Sequence, residues 1–357
     1  MSQAQAAEAQ ATEANAAAAT ATKATPPWVS AQARQLLAQK GHAWLLHGPS
    51  GVGQYRLALA LATAWLCEAP TDSGACGTCP GCHAVQVRTH ADLRVLMPEV
   101  ALLDLGWPLA EKAQEEIDKK ERKPSREIRV DAMRDAIEFS QRTSARGRGK
   151  VVLVYPAEQM NTISANALLK TLEEPPGAVR FVLASESAHQ LLPTIRSRCL
   201  GHAMHWPEPA VALGWLQQQG IEAAAAPALL QAAGGRPEDA LLMRTTGRSA
   251  EVWARFPAAM AAGNAAFVRD WPVTELVDAL QKLCHDALCI QQQAVPRYFA
   301  LKAAPAKPGA NRSSMTALTD WFAALQQSRK TMEHPFILGL MQEALVEQAR
   351  QALNPRQ

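Results

Sequence analysis

The feature that most constrains this chain is a glycine-rich loop, Gly48–Tyr55 (GPSGVGQY), which follows the apolar run Ala43-Trp44-Leu45-Leu46. An apolar strand, a Gly-rich turn and a helix in that order are the setting of a phosphate-binding loop, G-x-x-x-x-G-K-[ST]. In a working loop the glycines let backbone N–H groups wrap the phosphates. The lysine reaches the β/γ-phosphates and the hydroxyl holds Mg²⁺. Here Gly48, Gly51 and Gly53 keep the frame, but Gln54 stands in the lysine position and Tyr55 in the Ser/Thr position. Gln54 has no charge to offset a triphosphate, and Tyr55 is too long to place its oxygen on the metal. The loop is therefore read as degenerate: the frame of a nucleotide site without its chemistry, and no bound nucleotide is expected.

The rest of the chain alternates strands with helices up to about residue 201. Strands are expected at 43–47, 92–97, 150–154 and 181–184, and helices at 30–42, 54–66, 129–145 and 161–172, the last stopped by Pro175-Pro176. Strands that alternate with helices indicate a parallel α/β sheet. The charged stretch 104–127 is read as an exposed excursion, and Arg146, Arg148 and Lys150 as a basic, solvated turn. Beyond residue 201 no strand is expected. Trp206-Pro207-Glu208-Pro209 marks a boundary, and two helical regions follow, split near Thr245-Thr246-Gly247, with a Pro/Gly loop at 304–310. At 357 residues the chain is long enough for two or three domains. A net charge of +3 announces no global basic surface, so any nucleic-acid contact is a local patch. No run of 18 apolar residues predicts a membrane span. Residues 1–27, rich in alanine and without the basic start and apolar core of a signal peptide, are read as a disordered tail, and the location as cytoplasmic.

Four of the seven cysteines fall at Cys67, Cys76, Cys79 and Cys82, the spacing C-x8-C-x2-C-x2-C. Four thiolates complete a tetrahedral shell, so a closed, structural Zn²⁺ site is expected. His83 follows directly but is surplus to four sulfurs. Cys199, Cys284 and Cys289 are read as half-buried thiols. Trp44, Trp65, Trp215 and Trp253 sit in apolar contexts and are read as core.

The strand Val151–Val154 ends in Tyr155-Pro156, where an ATPase of the AAA+ class carries an Asp-Glu pair for Mg²⁺ and the attacking water. Glu158 lies beyond the strand tip. The run Asn166-Ala167-Leu168-Leu169-Lys170-Thr171-Leu172-Glu173-Glu174-Pro175-Pro176 resembles the signature of clamp-loader AAA+ subunits, and Thr194-Ile195-Arg196-Ser197-Arg198-Cys199 resembles their Ser-Arg-Cys motif. The four-cysteine insertion matches as well.

The resemblance implies an α/β AAA+ (P-loop NTPase-like) module at 28–200 with its zinc insertion at 67–82. A small helical lid at 201–247 and an all-α collar at 248–357 would follow. It implies that Arg198 acts in trans on a neighbouring subunit's ATP, with Ser197 and Cys199 in support. Implied partners are gamma/tau and delta clamp-loader subunits in a hetero-pentamer, with the sliding clamp and primer-template DNA met through the complex. In the lid, Gly234–Leu241 resembles the stretch where an arginine senses nucleotide; Glu238 occupies that position in one register and Arg236 lies two residues away. Ser185 stands at the polar sensor after the 181–184 strand. Two other readings remain open: an active gamma/tau-type ATPase, against which Gln54, Tyr55, Tyr155 and Pro156 speak, and a zinc-ribbon nucleic-acid-binding protein on a decayed P-loop scaffold.

Overall fold

The computed structural model describes residues 25–301, 315–331 and 338–354. Residues 1–24 of the tail expected at 1–27 and the loop at 304–310 lie outside them, and Pro27 belongs to a helix rather than to the tail. The chain divides into two compact units, one ending at Val211 and the other beginning at Ala212. Among the described residues no helix is long and apolar enough to cross a membrane.

The first unit is built on five parallel strands: β1 (Ala43–His47), β2 (Leu93–Leu96), β3 (Lys150–Val154), β4 (Val179–Ser185) and β5 (Leu200–Ala203), in the spatial order β2-β3-β4-β1-β5. This is the parallel α/β arrangement that the alternation of strands and helices predicts. Every residue of β3 is buried, and its unbroken Val/Leu run is what a strand covered on both faces requires. The tips of β1 and β4 are in register, His47 beside Ser185, and those of β3 and β4 follow, Val154 beside Leu183. The loops leaving three strands therefore converge on one edge of the sheet. Such an edge, at the carboxyl ends of the strands, is where open α/β sheets bind ligands.

Helices α1 (Pro27–Leu37), α2 (Gln54–Leu66), α3 (Pro80–Gln86), α4 (Glu99–Asp104), α5 (Glu111–Asp118), α6 (Val130–Gln141), α7 (Thr162–Glu173) and α8 (Pro193–Arg196) complete this unit. Helix α2 starts from Gly53, whose φ of 95° is open to glycine at little cost. Asn161 caps α7 by accepting a hydrogen bond from the Ser164 N–H at 2.9 Å. One face of the sheet packs with α6 and α7 around Phe181, Met133, Leu168 and Leu172.

Four expectations need correction. β5 was not expected. Its sequence, Leu-Gly-His-Ala, is mostly exposed and shows no apolar run, and its place is set by backbone pairing with β1 (Trp44 beside Leu200). The first helix begins at Pro27 and ends at Leu37, because Pro fits a first turn and the chain turns before β1. The 104–127 stretch is not a bare excursion. It contains α5 and is folded back by Arg122, whose guanidinium reaches Glu99 at 2.5 Å and Glu116 at 2.6 Å. Lys150 is not part of a solvated turn: it is buried, 3.2 Å from the fully buried Asp92, with its ammonium 4.0 Å from the centre of the Phe139 ring.

Asp92 also accepts from the backbone N–H groups of Ala145 and Arg146, at 2.8 and 2.9 Å, and from Ser144 Oγ at 3.0 Å. These contacts end α6 earlier than periodicity alone suggests. Burial pushes the Asp92 carboxyl up, but the hydrogen bonds from Ala145, Arg146, Lys150 and Ser144 outweigh it and hold the group below the usual carboxylate range.

In the second unit, helices Ala226–Ala232, Pro237–Thr245, Ala250–Ala261, Val273–Gln291, Met315–Thr331 and Leu338–Leu353 enclose an aromatic core. Trp253 stacks on Phe299 with centroids 4.5 Å apart, and Phe256 on Trp271 at 5.2 Å. Asp286, fully buried, binds the N–H groups of Arg297, Tyr298 and Phe299 at 2.7–2.8 Å and anchors the segment after its helix. Among the tryptophans expected in cores, Trp44, Trp215 and Trp253 are buried and Trp65 is half-buried.

Asp92→Asn should lower unfolding stability by about 3–5 kcal/mol, since it leaves Lys150 buried and unpaired. Urea unfolding measures this, and a loss near zero would remove Asp92 from its organising role. Because the folded carboxyl titrates below its ordinary value, its contribution is complete above the ordinary range and is lost as pH falls through the folded value. The Asn variant should lack that component of acid unfolding.

Candidate functional site

The Gly48–Tyr55 loop leaves β1 at the convergent edge of the sheet. Gly48 is a close-approach glycine: a Cβ there would lie 2.4 Å from the Met204 carbonyl oxygen. Gly51 and Gly53 take φ of 75° and 95°. The frame thus has the backbone shape that glycine allows. Gln54 is buried and turns back on the loop, its Nε2 donating to the carbonyls of Gly48 at 3.0 Å and Pro49 at 2.8 Å. Its amide is spent closing the loop on itself.

Tyr55 stacks on Tyr155 with ring centroids 5.3 Å apart and planes at 29°. Its hydroxyl accepts a hydrogen bond from Trp107 Nε1 at 2.7 Å, and burial raises its pKa above the ordinary 10.0. Tyr155 in turn donates to Glu186 at 3.0 Å. Three rings and one carboxylate are therefore linked across the segments that follow β1, β2, β3 and β4. Trp107 was missed by sequence reasoning. It comes from the charged excursion, 52 positions away from Tyr55, and no local signal marks it. Glu158 lies in the short turn after β3, where one oxygen accepts from the Glu186 N–H at 3.0 Å. Its other oxygen is buried and meets no donor among the described residues. Ser185 is fully buried, its Oγ accepting from the Ser187 N–H at 3.2 Å. The edge thus combines a glycine frame with a buried amide, a stacked tyrosine pair and the carboxyl groups of Glu158 and Glu186.

Arg198 follows α8, on a turn held by Ser197 Oγ, which donates to the Thr194 carbonyl at 3.1 Å. Its guanidinium donates to Glu173 through Nε at 2.7 Å and again through Nη2. It also donates to the Thr194 carbonyl at 2.9 Å and to Ser197 Oγ at 3.3 Å. Glu173 ends α7 and belongs to the Leu-Glu-Glu-Pro-Pro signature, so the two motifs meet in space. The Arg198 side chain is 29% exposed and Glu173 49% exposed. Arg196 is exposed and forms no side-chain hydrogen bond among the described residues. Cys199 packs against the sheet core, and burial pushes its thiol up to about 12.

The four cysteines of the insertion converge. Cys67 Sγ lies 3.5 Å from Cys76 Sγ and 3.8 Å from Cys79 Sγ, and Cys76 Sγ lies 3.9 Å from Cys82 Sγ. A tetrahedron of sulfurs about 2.3 Å from a zinc ion has edges of about 3.8 Å. The set therefore fits a four-thiolate metal site and can hold a metal ion. Backbone N–H groups of Glu68, Cys76, Cys79 and Cys82 point at the sulfurs at 3.3–3.5 Å. Those from Thr78 and Cys79 bring the Cys76 thiol down to about 6, while burial pushes Cys82 up to about 12. His83 is exposed and outside the cluster. His285, Asp286 and Cys289 also gather in the second unit, but both Asp286 oxygens already serve backbone N–H groups. Cys284, expected half-buried, is fully buried and donates to the Leu318 carbonyl at 3.3 Å.

In the second unit, Arg236 precedes the helix Pro237–Thr245. It bonds Asp239 at 2.7 Å and the Ala233 carbonyl at 2.9 Å. Glu238 lies in the first turn of that helix, partly buried.

Comparison with known proteins gives a consistent result. Residues 29–205 match the family described as "DNA polymerase III, delta subunit". A protein of Pseudomonas aeruginosa named DNA polymerase III subunit delta' is 41% identical over 215 residues, covering 59% of this chain and 58% of the relative. Its namesake in Escherichia coli is 35% identical over 198 residues, 54% of this chain and 52% of that protein. The Escherichia coli DNA polymerase III subunit tau is 35% identical over 159 residues, 44% of this chain and 21% of that protein. The chain spans just over half the length of the two delta' relatives.

Proposed function

We propose that the protein is a non-hydrolysing, delta-prime-type subunit of a clamp loader: residues 29–205 match the family described as "DNA polymerase III, delta subunit", and two delta' relatives are 35–41% identical over just over half of their length. It contributes Arg198 in trans to a neighbouring gamma/tau-type ATPase and works with a delta subunit in a cytoplasmic hetero-pentamer. The assembly places a sliding clamp on primer-template DNA. In this reading residues 28–200 are the AAA+ module, 201–247 the lid and 248–357 the collar that holds the ring. Glu238, or Arg236 in the other register, stands at the lid's sensor position.

The observation that carries the reading is a contrast between two sites in one unit. Gln54 is turned into its own loop and Tyr55 is locked into an aromatic group, whereas Arg198 stands partly exposed on a built turn. A guanidinium presents a planar fork that matches phosphate oxygens and stabilises the charge of phosphoryl transfer. Glu173 keeps that fork oriented in the separate chain. Breaking such a partly exposed pair costs at most about 1 kcal/mol, so a neighbour's triphosphate can take the arginine over. The four cysteines hold one structural Zn²⁺, with no open position for chemistry.

Three measurements test these points. Calorimetry with ATP and Mg²⁺ should give no heat of binding. Micromolar affinity would overturn the empty-site reading, and Gln54→Lys alone should not create turnover. Elemental analysis should return about one zinc per chain, as a closed four-thiolate site requires. Cys79→Ser should lower metal content and stability, and full retention in a Cys76/Cys79 double variant would exclude this ligand set. Arg198→Ala should fold and assemble normally, yet slow clamp loading and reduce part of the complex's DNA- and clamp-stimulated ATPase activity. Arg198→Lys should rescue poorly, because an ammonium lacks the fork, and Arg196→Ala should be milder. Clamp loading at the parent rate in the assembled Arg198→Ala complex would end the trans-acting reading.

A further inference from the structure

The opposite end of the same sheet carries an open cavity of about 440 Å³. Its walls are the last turn of α2, the loop between Cys67 and Cys76, and the turns that lead into β3 and β4. Because β1 and β4 run parallel and in register, Arg180 at the start of β4 lies about 17 Å from the Gly48 end of the sheet. The cavity therefore belongs to neither the degenerate loop nor the Arg198 turn.

Two guanidinium groups line it, Arg148 and Arg180. Arg180 is half-buried and lies against Trp65, 5.5 Å from the ring centre, which fixes its stem and leaves its charge to the cavity. Arg148 is exposed at the rim. Neither forms an ion pair among the described residues, and no carboxylate lines the walls. The nearest basic side chain in sequence, Arg146, is by contrast taken up by Glu68 at 2.5 Å. Burial and the charge of Arg148 together press on the protonated form of Arg180. Two like charges in one cleft without a counter-charge raise the energy of the folded chain, and an anion removes that cost.

The turn between the guanidiniums adds donors. The N–H groups of Gly147, Arg148 and Gly149 have no acceptor among the described residues. Gly147 and Gly149 have φ of 70° and 84°. A Cβ at Gly149 would lie 2.3 Å from the Ala178 carbonyl oxygen, so the tight approach of the two turns needs glycine there. Successive N–H groups in such a turn form an anion-binding concavity.

We propose that Arg148, Arg180 and the Gly147–Gly149 turn form a phosphate-binding pocket, separate from the Gly48–Tyr55 loop. Forked guanidiniums match the oxygens of a phosphate group, and the open shape admits either a small phosphorylated molecule or one phosphate of a passing DNA strand.

The full chain is titrated with two probes: inorganic pyrophosphate by calorimetry, and a fluorescently labelled single-stranded oligothymidylate by anisotropy at several salt concentrations. Arg148→Ala should weaken binding about tenfold, the size of a lost hydrogen-bonded charge contact. For the oligonucleotide it should also flatten the dependence of log K on log salt by about 0.7, one lost phosphate contact on a single strand. Arg148→Glu should weaken binding further, and Arg180→Lys should fall between parent and Arg148→Ala. Arg148 is exposed and its replacement relieves the repulsion with Arg180, so its variants should unfold no earlier than the parent, which separates lost binding from lost fold. Losses with both probes support the pocket for either source. A loss with pyrophosphate alone assigns it to small phosphorylated molecules, and a loss with the oligonucleotide alone assigns it to a strand. A parent chain that binds neither probe, or an Arg148→Glu chain that binds both as the parent does, overturns the proposal.

Discussion

Parallel pairing of β1 with β4 on one side and β5 on the other is the constraint on which the first unit depends. It aligns His47 with Ser185 and brings the Tyr155 end of β3 beside them. The loops that leave three strands must then share one edge. Without that register, Tyr55 and Tyr155 would not stack, and Glu186 would not reach the Tyr155 hydroxyl. The same register carries the strand starts to the opposite edge, where Arg180 and the turn before β3 face one cavity. One set of backbone hydrogen bonds thus creates two separate edges with different chemistry.

At the first edge Gln54 and Tyr55 have structural work of their own. Gln54 closes the loop through two carbonyls, and Tyr55 joins a chain of contacts through Trp107 and Tyr155 to Glu186. Buried polar atoms must find partners, and an amide or phenol inside the frame finds them locally. The loop has become part of the core of its own edge. Arg198, by contrast, is held by surface contacts that break at low cost. The local environment therefore distinguishes side chains used for packing from one held at the surface.

Charge is arranged by burial in a similar way. Lys150 and Asp92 neutralise each other inside the unit, with Asp92 also gathering the turn at Ser144–Arg146. Arg146 is quenched by Glu68 beside the cysteine cluster. Arg148 and Arg180 are left without acidic partners. Three basic residues of one short stretch, Arg146, Arg148 and Lys150, thus end in three electrostatic states, and sequence spacing does not distinguish them.

The sequence by itself determined the parallel α/β class, the extents of β1, α2 and β3, the glycine-shaped loop at 48–55, the convergence of four sulfurs and the turn that carries Arg198. Each of these is written in local residue types: an apolar run, a glycine pattern, a cysteine spacing. Tertiary structure alone decided that β5 exists, that Trp107 meets Tyr55, that Glu173 holds Arg198 and that Lys150 is buried on Asp92. Those facts rest on groups between 25 and 58 positions apart, or, for β5, on backbone pairing. A backbone N–H or carbonyl is the same in every residue but proline, and a lysine has the same composition whether solvated or paired. Only the folded chain fixes which partner each one meets.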